Sequence, residues 1–271
     1  PIATATTNSI TATFKQTDSL SGINNSSIQY AIKDGNSWSA WQTSKTFTGL
    51  KINQTYTIKT KATDNAGNTQ ESKELSITTT ELKAGTLTLT KETATGSAYT
   101  SGQWSNKNVY VKLVQSSTGT STYSSTSNSA QLVSAGTTVD TTVSTNGTTT
   151  LKVTTTDGTN TSTNSYIIKI DKTAPTVGTL TMKLGSSTGT TYTSGNWTNQ
   201  NVWVHKNDGS DSQSGHKSTT YTVSGANLTN QTADNTISVE GKYTATVTTY
   251  DNVDNSSTNS YNVKIDKTAP T

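Results

Sequence analysis

Two long stretches that repeat one another constrain this chain more than any other feature. Tyr99-Thr100-Ser101-Gly102-Gln103-Trp104-Ser105-Asn106-Lys107-Asn108-Val109 returns as Tyr192-Thr193-Ser194-Gly195-Asn196-Trp197-Thr198-Asn199-Gln200-Asn201-Val202. The second copy lies 93 residues on (192 minus 99). Each copy closes on the same phrase, Ile170-Asp171-Lys172-Thr173-Ala174-Pro175-Thr176 and Ile265-Asp266-Lys267-Thr268-Ala269-Pro270-Thr271. Self-similarity at this period means tandem units, each burying its own small core, and not one large domain. The third of the three prolines is Pro1, so the chain is expected to begin and end inside copies of the phrase, as a segment cut from a longer array would.

The boundaries expected are residues 1–80, 81–174 and 175–271. Within them, apolar residues alternate with polar ones. Ser9 to Phe14, Tyr56-Ile58-Thr60-Ala62, Tyr166-Ile168-Ile170 and Tyr261-Val263-Ile265 each put one face inward at the period of a strand. Asp34-Gly35 and Asp64-Asn65-Ala66-Gly67-Asn68 mark turns. The stretch from Ser116 to Ser129 is almost all Ser and Thr and is expected to form a polar edge or loop. Apolar residues make up only 28% of the chain and charged residues 14%, at a net charge of +3. Low charge argues against a disordered polyelectrolyte, and abundant β-branched Thr favours strands. The fold class expected is all-β: three tandem Ig-like or fibronectin III-like β-sandwiches in an elongated array.

Composition also excludes. All twenty basic residues are Lys, with no basic run, which speaks against nucleic-acid recognition built on Arg. Cysteine is absent, so disulfides, Cys-ligated zinc and thiol catalysis are ruled out. No apolar run is long enough to insert into a membrane as a helix. His205 and His216 stand near Asp208 and Asp211, and Gly185-Ser186-Ser187-Thr188-Gly189 matches a nucleophile-elbow pattern. In a chain this rich in Ser and Thr both are chance matches, because that elbow needs a strand-to-helix turn. No catalytic residue is assigned.

A Leu50…Tyr56 corner, the Ala62-Thr63-Asp64-Asn65-Ala66-Gly67-Asn68 turn and the Asp18-Ser19-Leu20-Ser21-Gly22 phrase resemble bacterial fibronectin type III-like or Ig-like modules. The Tyr-Thr-x-Gly-x-Trp-x-Asn-x-x-Val phrase, with its Ile-Asp-x-Thr-Ala-Pro linker, is similar to the Ig-like repeats of Gram-positive cell-surface proteins. Asp211-Ser212-Gln213-Ser214-Gly215 and Asp251-Asn252-Val253-Asp254-Asn255 echo the first module's two loops, and Tyr243 its corner, where the second module has Thr149. The resemblance implies an extracellular, bacterial surface or secreted location. It implies a non-catalytic stalk whose partners are the neighbouring repeats. The alternatives are a module binding a glycan or a host surface protein, and an accessory region of a secreted polysaccharide-degrading enzyme.

Two sites are worth testing. Linker Asp171 enters the third module beside two Asp-bearing loops, so Asp171, Asp208, Asp211, Asp251 and Asp254 are a candidate Ca²⁺ set, carboxylates with nearby Asn and backbone oxygens being what Ca²⁺ takes. Trp38, Trp41 and Trp203 are the candidate rings for a sugar-stacking platform. Trp104 and Trp197, which recur at one position, read as packing residues. Lys183 and Asn262 are the candidate isopeptide pair, disfavoured because strand alternation points Asn262 to solvent.

Overall fold

The computed structural model describes residues 1–125 and 140–271. It is built almost wholly of strands, and their pairing falls into three consecutive blocks. The first holds β1 (Ile2–Ala5), β2 (Ser9–Thr13), β3 (Gln29–Asp34), β4 (Ser37–Trp38), β5 (Thr46–Thr48), β6 (Thr55–Thr63), β7 (Thr69–Glu71) and β8 (Leu75–Thr78). The second holds β9 (Thr86–Lys91), β10 (Trp104–Ser105), β11 (Val109–Val114), β12 (Thr120–Ser125), β13 (Asp140–Val143), β14 (Gly147–Thr156) and β15 (Thr161–Ile170). The third holds β16 (Thr179–Leu184), β17 (Trp197–Thr198), β18 (Val202–Asn207), β19 (His216–Ser224), β20 (Leu228–Gln231), β21 (Asn235–Ile237), β22 (Gly241–Asp251) and β23 (Ser256–Ile265).

Each block forms two sheets, and among the described residues no strand pairs outside its block. In the third, β16-β18-β21 faces β17-β23-β22-β19-β20. The first sheet gives the shared core Leu180, Met182, Val202, Val204 and Ile237; the second gives Tyr221, Val223, Ala245, Val247, Val263 and Ile265. The first block repeats the plan, with β1-β2-β5 opposite β4-β3-β6-β7 and β8 pairing β6. Ile10, Ala12 and Phe47 from one sheet meet Tyr30, Tyr56 and Ile58 from the other. The second block carries the sheets β13-β11-β9 and β10-β15-β14-β12. The chain is therefore an all-β, multi-domain array of sheet-on-sheet layers, as two-faced strands with one apolar face require.

By contacts the chain divides into two compact units. One comprises Pro1–Leu89, Val111–Thr141 and Thr150–Tyr166; the other comprises Thr90–Tyr110, Thr142–Thr149 and Ile167–Thr271. Strands β9, β11, β13, β14 and β15 contribute residues to both.

The repeated Tyr-Thr-Ser-Gly-x-Trp phrase acquires a structural reason. Tyr99 and Tyr192 are buried. Their hydroxyls donate to the carbonyls of Gln103 and Asn196 and accept from the backbone N–H of Lys169 (2.9 Å) and Lys264 (3.0 Å). Gly102 and Gly195 donate to the carbonyls of Ile167 and Asn262 (2.7 and 2.8 Å). The phrase thus fastens a loop onto the last strand, and a short parallel pairing follows, Trp104 opposite Lys169 and Trp197 opposite Lys264. The packing role expected for these two tryptophans is corrected. Trp197 is 55% exposed, lying under Lys242 and Lys264, and Trp104 is half-buried under Lys169. Their recurrence belongs to the outer face of the parallel bridge.

The corner tyrosines sit as expected. Tyr56 accepts from the backbone N–H of Lys51 (3.0 Å), and Tyr243 donates to the carbonyl of Val239 (3.0 Å). The Ser/Thr stretch contains β12, an edge strand whose Tyr123 is fully buried; its residues 126–129 lie outside the described residues.

Candidate metal centre at a repeat junction

Strand periodicity delivers the first carboxylate. The inward face of β22 reads Tyr243, Ala245, Val247, Thr249 and then Asp251, which is fully buried. Its Oδ1 accepts from the backbone N–H of Val253 (2.9 Å) and Asn255 (2.8 Å), and its Oδ2 from Asn255 Nδ2 (2.6 Å). This turn holds the strand end in place because an Asp side chain mimics a backbone acceptor. Asp211 is fixed likewise: its Oδ1 accepts from the N–H of Gln213 (3.0 Å) and Gly215 (2.7 Å). Gly215 has φ +89°, a region costly for any residue with a Cβ. Asn252 ties the two loops together, N to the Gly215 carbonyl (3.0 Å) and Nδ2 to the Ser214 carbonyl (2.8 Å).

The linker brings the third carboxylate. Asp171 N–H donates to the carbonyl of Ser105 (2.9 Å), continuing the β10–β15 pairing past Ile170. Its Oδ1 accepts from Thr173 N–H and its Oδ2 from Ser214 N–H, both at 3.0 Å, and its carbonyl accepts from Asn255 Nδ2 (3.0 Å). Lys172 is clamped by Asn108 Oδ1 and the Ser144 carbonyl. Asn106 Nδ2 reaches the Val253 carbonyl (2.7 Å). The strap between the second and third blocks is therefore bonded on both sides.

Asp171, Asp211 and Asp251 each offer an oxygen, and these atoms lie within 4.8 Å of one another. Asp171 and Asp251 are fully buried, and among the described residues none of the three joins an ion pair. The Asp211 loop holds two buried oxygens that have no hydrogen-bond partner among the described residues, Gln213 Oε1 and Ser214 Oγ. Ser214 is 8% exposed. Clustered carboxylates repel one another, and buried charge is costly unless paired. A hard cation taking oxygen ligands fits this donor set.

The other two expected ligands are elsewhere. Asp208 pairs with Lys206 (2.6 Å) and Asp254 with Lys217 (2.5 Å), and both are largely exposed. The hydrogen bond from Lys206 holds the Asp208 carboxyl below the usual range. These lysines are near in sequence or on the adjoining strand, and alternation along loops does not reveal such pairing. Sequence reasoning placed no ligand on Gln213 or Ser214; the Asp-Ser-Gln-Ser-Gly phrase was the available signal.

The three aromatic candidates, Trp38, Trp41 and Trp203, are each partly buried. On the outer face of β3, β4 and β6, Lys59 Nζ lies 4.5 Å from the centroid of Trp38 and 5.0 Å from that of Trp41, and Lys61 Nζ lies 4.5 Å from that of Trp41. Both rings are half-buried. Lysines interleaved with indoles make a cation–π ladder. Trp203 stacks on His205 at 5.6 Å and 6°. His205 pairs with Asp234 (2.6 Å) and His216 bonds Thr219 Oγ1 (2.9 Å), so neither histidine engages Asp211. Lys183 Nζ donates to the Ser187 carbonyl (2.7 Å), and Asn262 is exposed.

No protein-family model and no curated protein matches the chain. Among solved structures, the three N-terminal domains of the bacteriophage RB49 highly immunogenic outer capsid protein (Hoc) match with TM-score 0.50 and 12% identity, over 98% of this chain and 96% of that one. That likeness shows a shared fold. A tetra-tandem repeat from the extending region of a large adhesion protein matches at TM-score 0.27 and 16% identity, over 97% of this chain and 71% of that one. Fibronectin(III)-like modules of Clostridium thermocellum CbhA match at 0.28 and 17%, over 65% and 93%. No helix among the described residues is long and apolar enough to cross a membrane.

Proposed function

We propose that the chain is a spacer: three modules, divided near residues 80 and 174, that hold a neighbouring adhesive or catalytic domain away from a Gram-positive cell surface. The observation that carries this reading is the strap Asp171–Thr173, bonded to the second block through Ser105, Asn108 and Ser144 and to the third through Ser214 and Asn255. A joint secured on both sides suits a part that sets distance, and Pro175 restricts the backbone just beyond it. The ladder over Trp38 and Trp41 weighs against the glycan-binding alternative, because lysines already engage the rings a sugar would stack on.

The proposed cofactor is Ca²⁺, held by Asp171, Asp211 and Asp251 with oxygens of Gln213 and Ser214 to complete the shell. Bound there, the ion would offset carboxylate repulsion and tie linker to loops. Calorimetry of the full chain tests this. Ca²⁺ at a hundred times its dissociation constant should add about 2.7 kcal/mol to the unfolding transition containing the third block. Asp251→Asn should abolish the gain. An identical melting temperature in Ca²⁺ and in chelator would reject the site, and backbone relaxation showing independent tumbling across residues 171–176 would reject the spacer.

A further inference from the structure

The anchor of the strap in the second block is a reactive dipeptide. Asn146-Gly147 is the one place in the chain where Asn precedes Gly. Asn146 is exposed, immediately ahead of β14. A backbone nitrogen can attack the γ-carbonyl of the asparagine before it, and glycine, having no Cβ, leaves that approach open. Gly147 has φ +110°, with open space where a Cβ would stand. The strap supplies two further groups. Asn146 Oδ1 accepts from Lys172 N–H (3.0 Å), and its Nδ2 donates to Thr173 Oγ1 (2.8 Å). A backbone N–H on a carbonyl oxygen stabilises the negative charge that builds there when a nucleophile adds. A hydroxyl beside the amide nitrogen can rotate to give that nitrogen its own hydrogen.

The third block displays the product this corner accepts. Glu240-Gly241 stands there at the matching place, immediately ahead of β22, and Gly241 has φ +149°. Glu240 Oε1 accepts from Lys267 N–H (2.6 Å), and Thr268 Oγ1 donates to its Oε2 (3.0 Å). A carboxylate thus accepts both bonds that the Asn146 amide divides between accepting and donating.

We infer that Asn146 is a self-modification site: it deamidates through Gly147, converting the strap's anchor from an amide to a carboxylate. The Gly147 nitrogen gives its proton to water and bonds to Asn146 Cγ, whose oxygen Lys172 N–H holds. The Cγ–Nδ2 bond breaks, and the nitrogen leaves as ammonia with a hydrogen from Thr173 Oγ1. Water returns the Gly147 proton to Thr173. A second water opens the five-membered imide at either carbonyl, giving Asp or isoaspartate, and nothing is oxidised or reduced. The Asp product accepts from both Lys172 N–H and Thr173 Oγ1, as Glu240 does from Lys267 and Thr268. Isoaspartate carries the main chain through Cβ and lengthens it by one methylene ahead of β14. The inference is independent of the spacer and of the bound cation, since it uses none of the clustered carboxylates.

Ageing the full chain in mild alkali, followed by isoelectric focusing and peptide mapping, tests it. One event replaces an amide by an acid, so the formal net charge falls from +3 to +2 (3 minus 1). Loss of amide at Asn146 should exceed the combined loss at all other asparagines. Thr173→Val should slow that loss in the folded chain and leave it unchanged in urea, where the strap is gone. Thr173→Ser, which keeps the hydroxyl, should age like the parent and reads the same point if the Val variant does not fold. Asn146→Asp, the direct product, should melt with the parent. The inference is overturned if another asparagine leads, if the folded Thr173→Val chain ages like the parent, if Thr173→Ser ages more slowly than it, or if Asn146→Asp lowers the melting temperature.

Discussion

At the scale of single residues, hydroxyl and carboxyl groups replace the hydrophobic mass this chain lacks. Tyr56 fills the first block's core and gives Lys51 N–H its acceptor. Tyr56→Phe should keep the fold and cost about 1 kcal/mol in urea unfolding, the net worth of one such bond. Tyr123 is the opposite case: it is fully buried, and among the described residues its hydroxyl has no partner. Burial pushes it up to about 12 from an ordinary 10.0. A folded pKa above the unfolded one means stability that is intact below pH 10 and lost as pH rises through about 12. Tyr123→Phe should remove that alkaline limb and stabilise the chain by about 1 kcal/mol, read as the pH dependence of the melting temperature. The corner tyrosines were legible because they sit at a fixed place before an alternating strand. Tyr123 was hidden because Ser and Thr surround it, and the apolar alternation that reveals an inward face is missing there.

Among elements, the recurring device is a turn pinned by its first Asp. Asp64 before β7 and Asp157 before β15 both accept from backbone N–H groups two and three or four residues on, and from an Asn side chain. The Asn68 side chain holds Asp64 below the usual carboxylate range, and the Asn160 backbone N–H does so for Asp157. Depressed carboxyls contribute stability above their unfolded pKa, near 3.8, that is lost as pH falls through the folded value. Acid should therefore loosen these turns, and NMR should show the amides of Asn68 and Asn160 shifting only below the range of free Asp. Gly215→Ala is the sharper probe. A Cβ there meets Asn252 Nδ2 at 3.1 Å with φ at +89°. The change should cost about 1–2 kcal/mol and reduce any Ca²⁺-dependent rise in melting temperature. The loops themselves were readable as Asp-rich turns. Which aspartates converge was less so: Asp208 and Asp254 are exposed and pair with lysines, whereas Asp251 ends the inward face of β22 and Asp211 is held by its own turn.

For the molecule as a whole, repetition in sequence was the strongest guide. Matching phrases fold into matching pairings, as β10 with β15 and β17 with β23 do. The compact units follow a different rule, since packing density and not sequence similarity defines them; hence β14 and β15 each belong partly to both. Unfolding should accordingly resolve into more than one calorimetric transition, with a van't Hoff enthalpy below the calorimetric one. A single two-state transition would contradict that expectation. The tryptophans show the limit of reading repeats: Trp104 and Trp197 recur for a bridging role on the surface, not for a core.

The fastening of the Tyr-Thr-Ser-Gly-x-Trp phrase onto the last strand also bears on tension. The pairing of β17 with β23 is parallel, with evenly spaced, slanted bonds between the two strands. Pulling on the exit strand through Asp266 loads the bonds at Tyr192, Gly195 and Thr198 in shear, so they share the force and must break nearly together. An antiparallel pair pulled from one end would unzip bond by bond. Resistance to extension is then a matter of unfolding rate and not of equilibrium stability, and a protein with a thin core can still be mechanically strong.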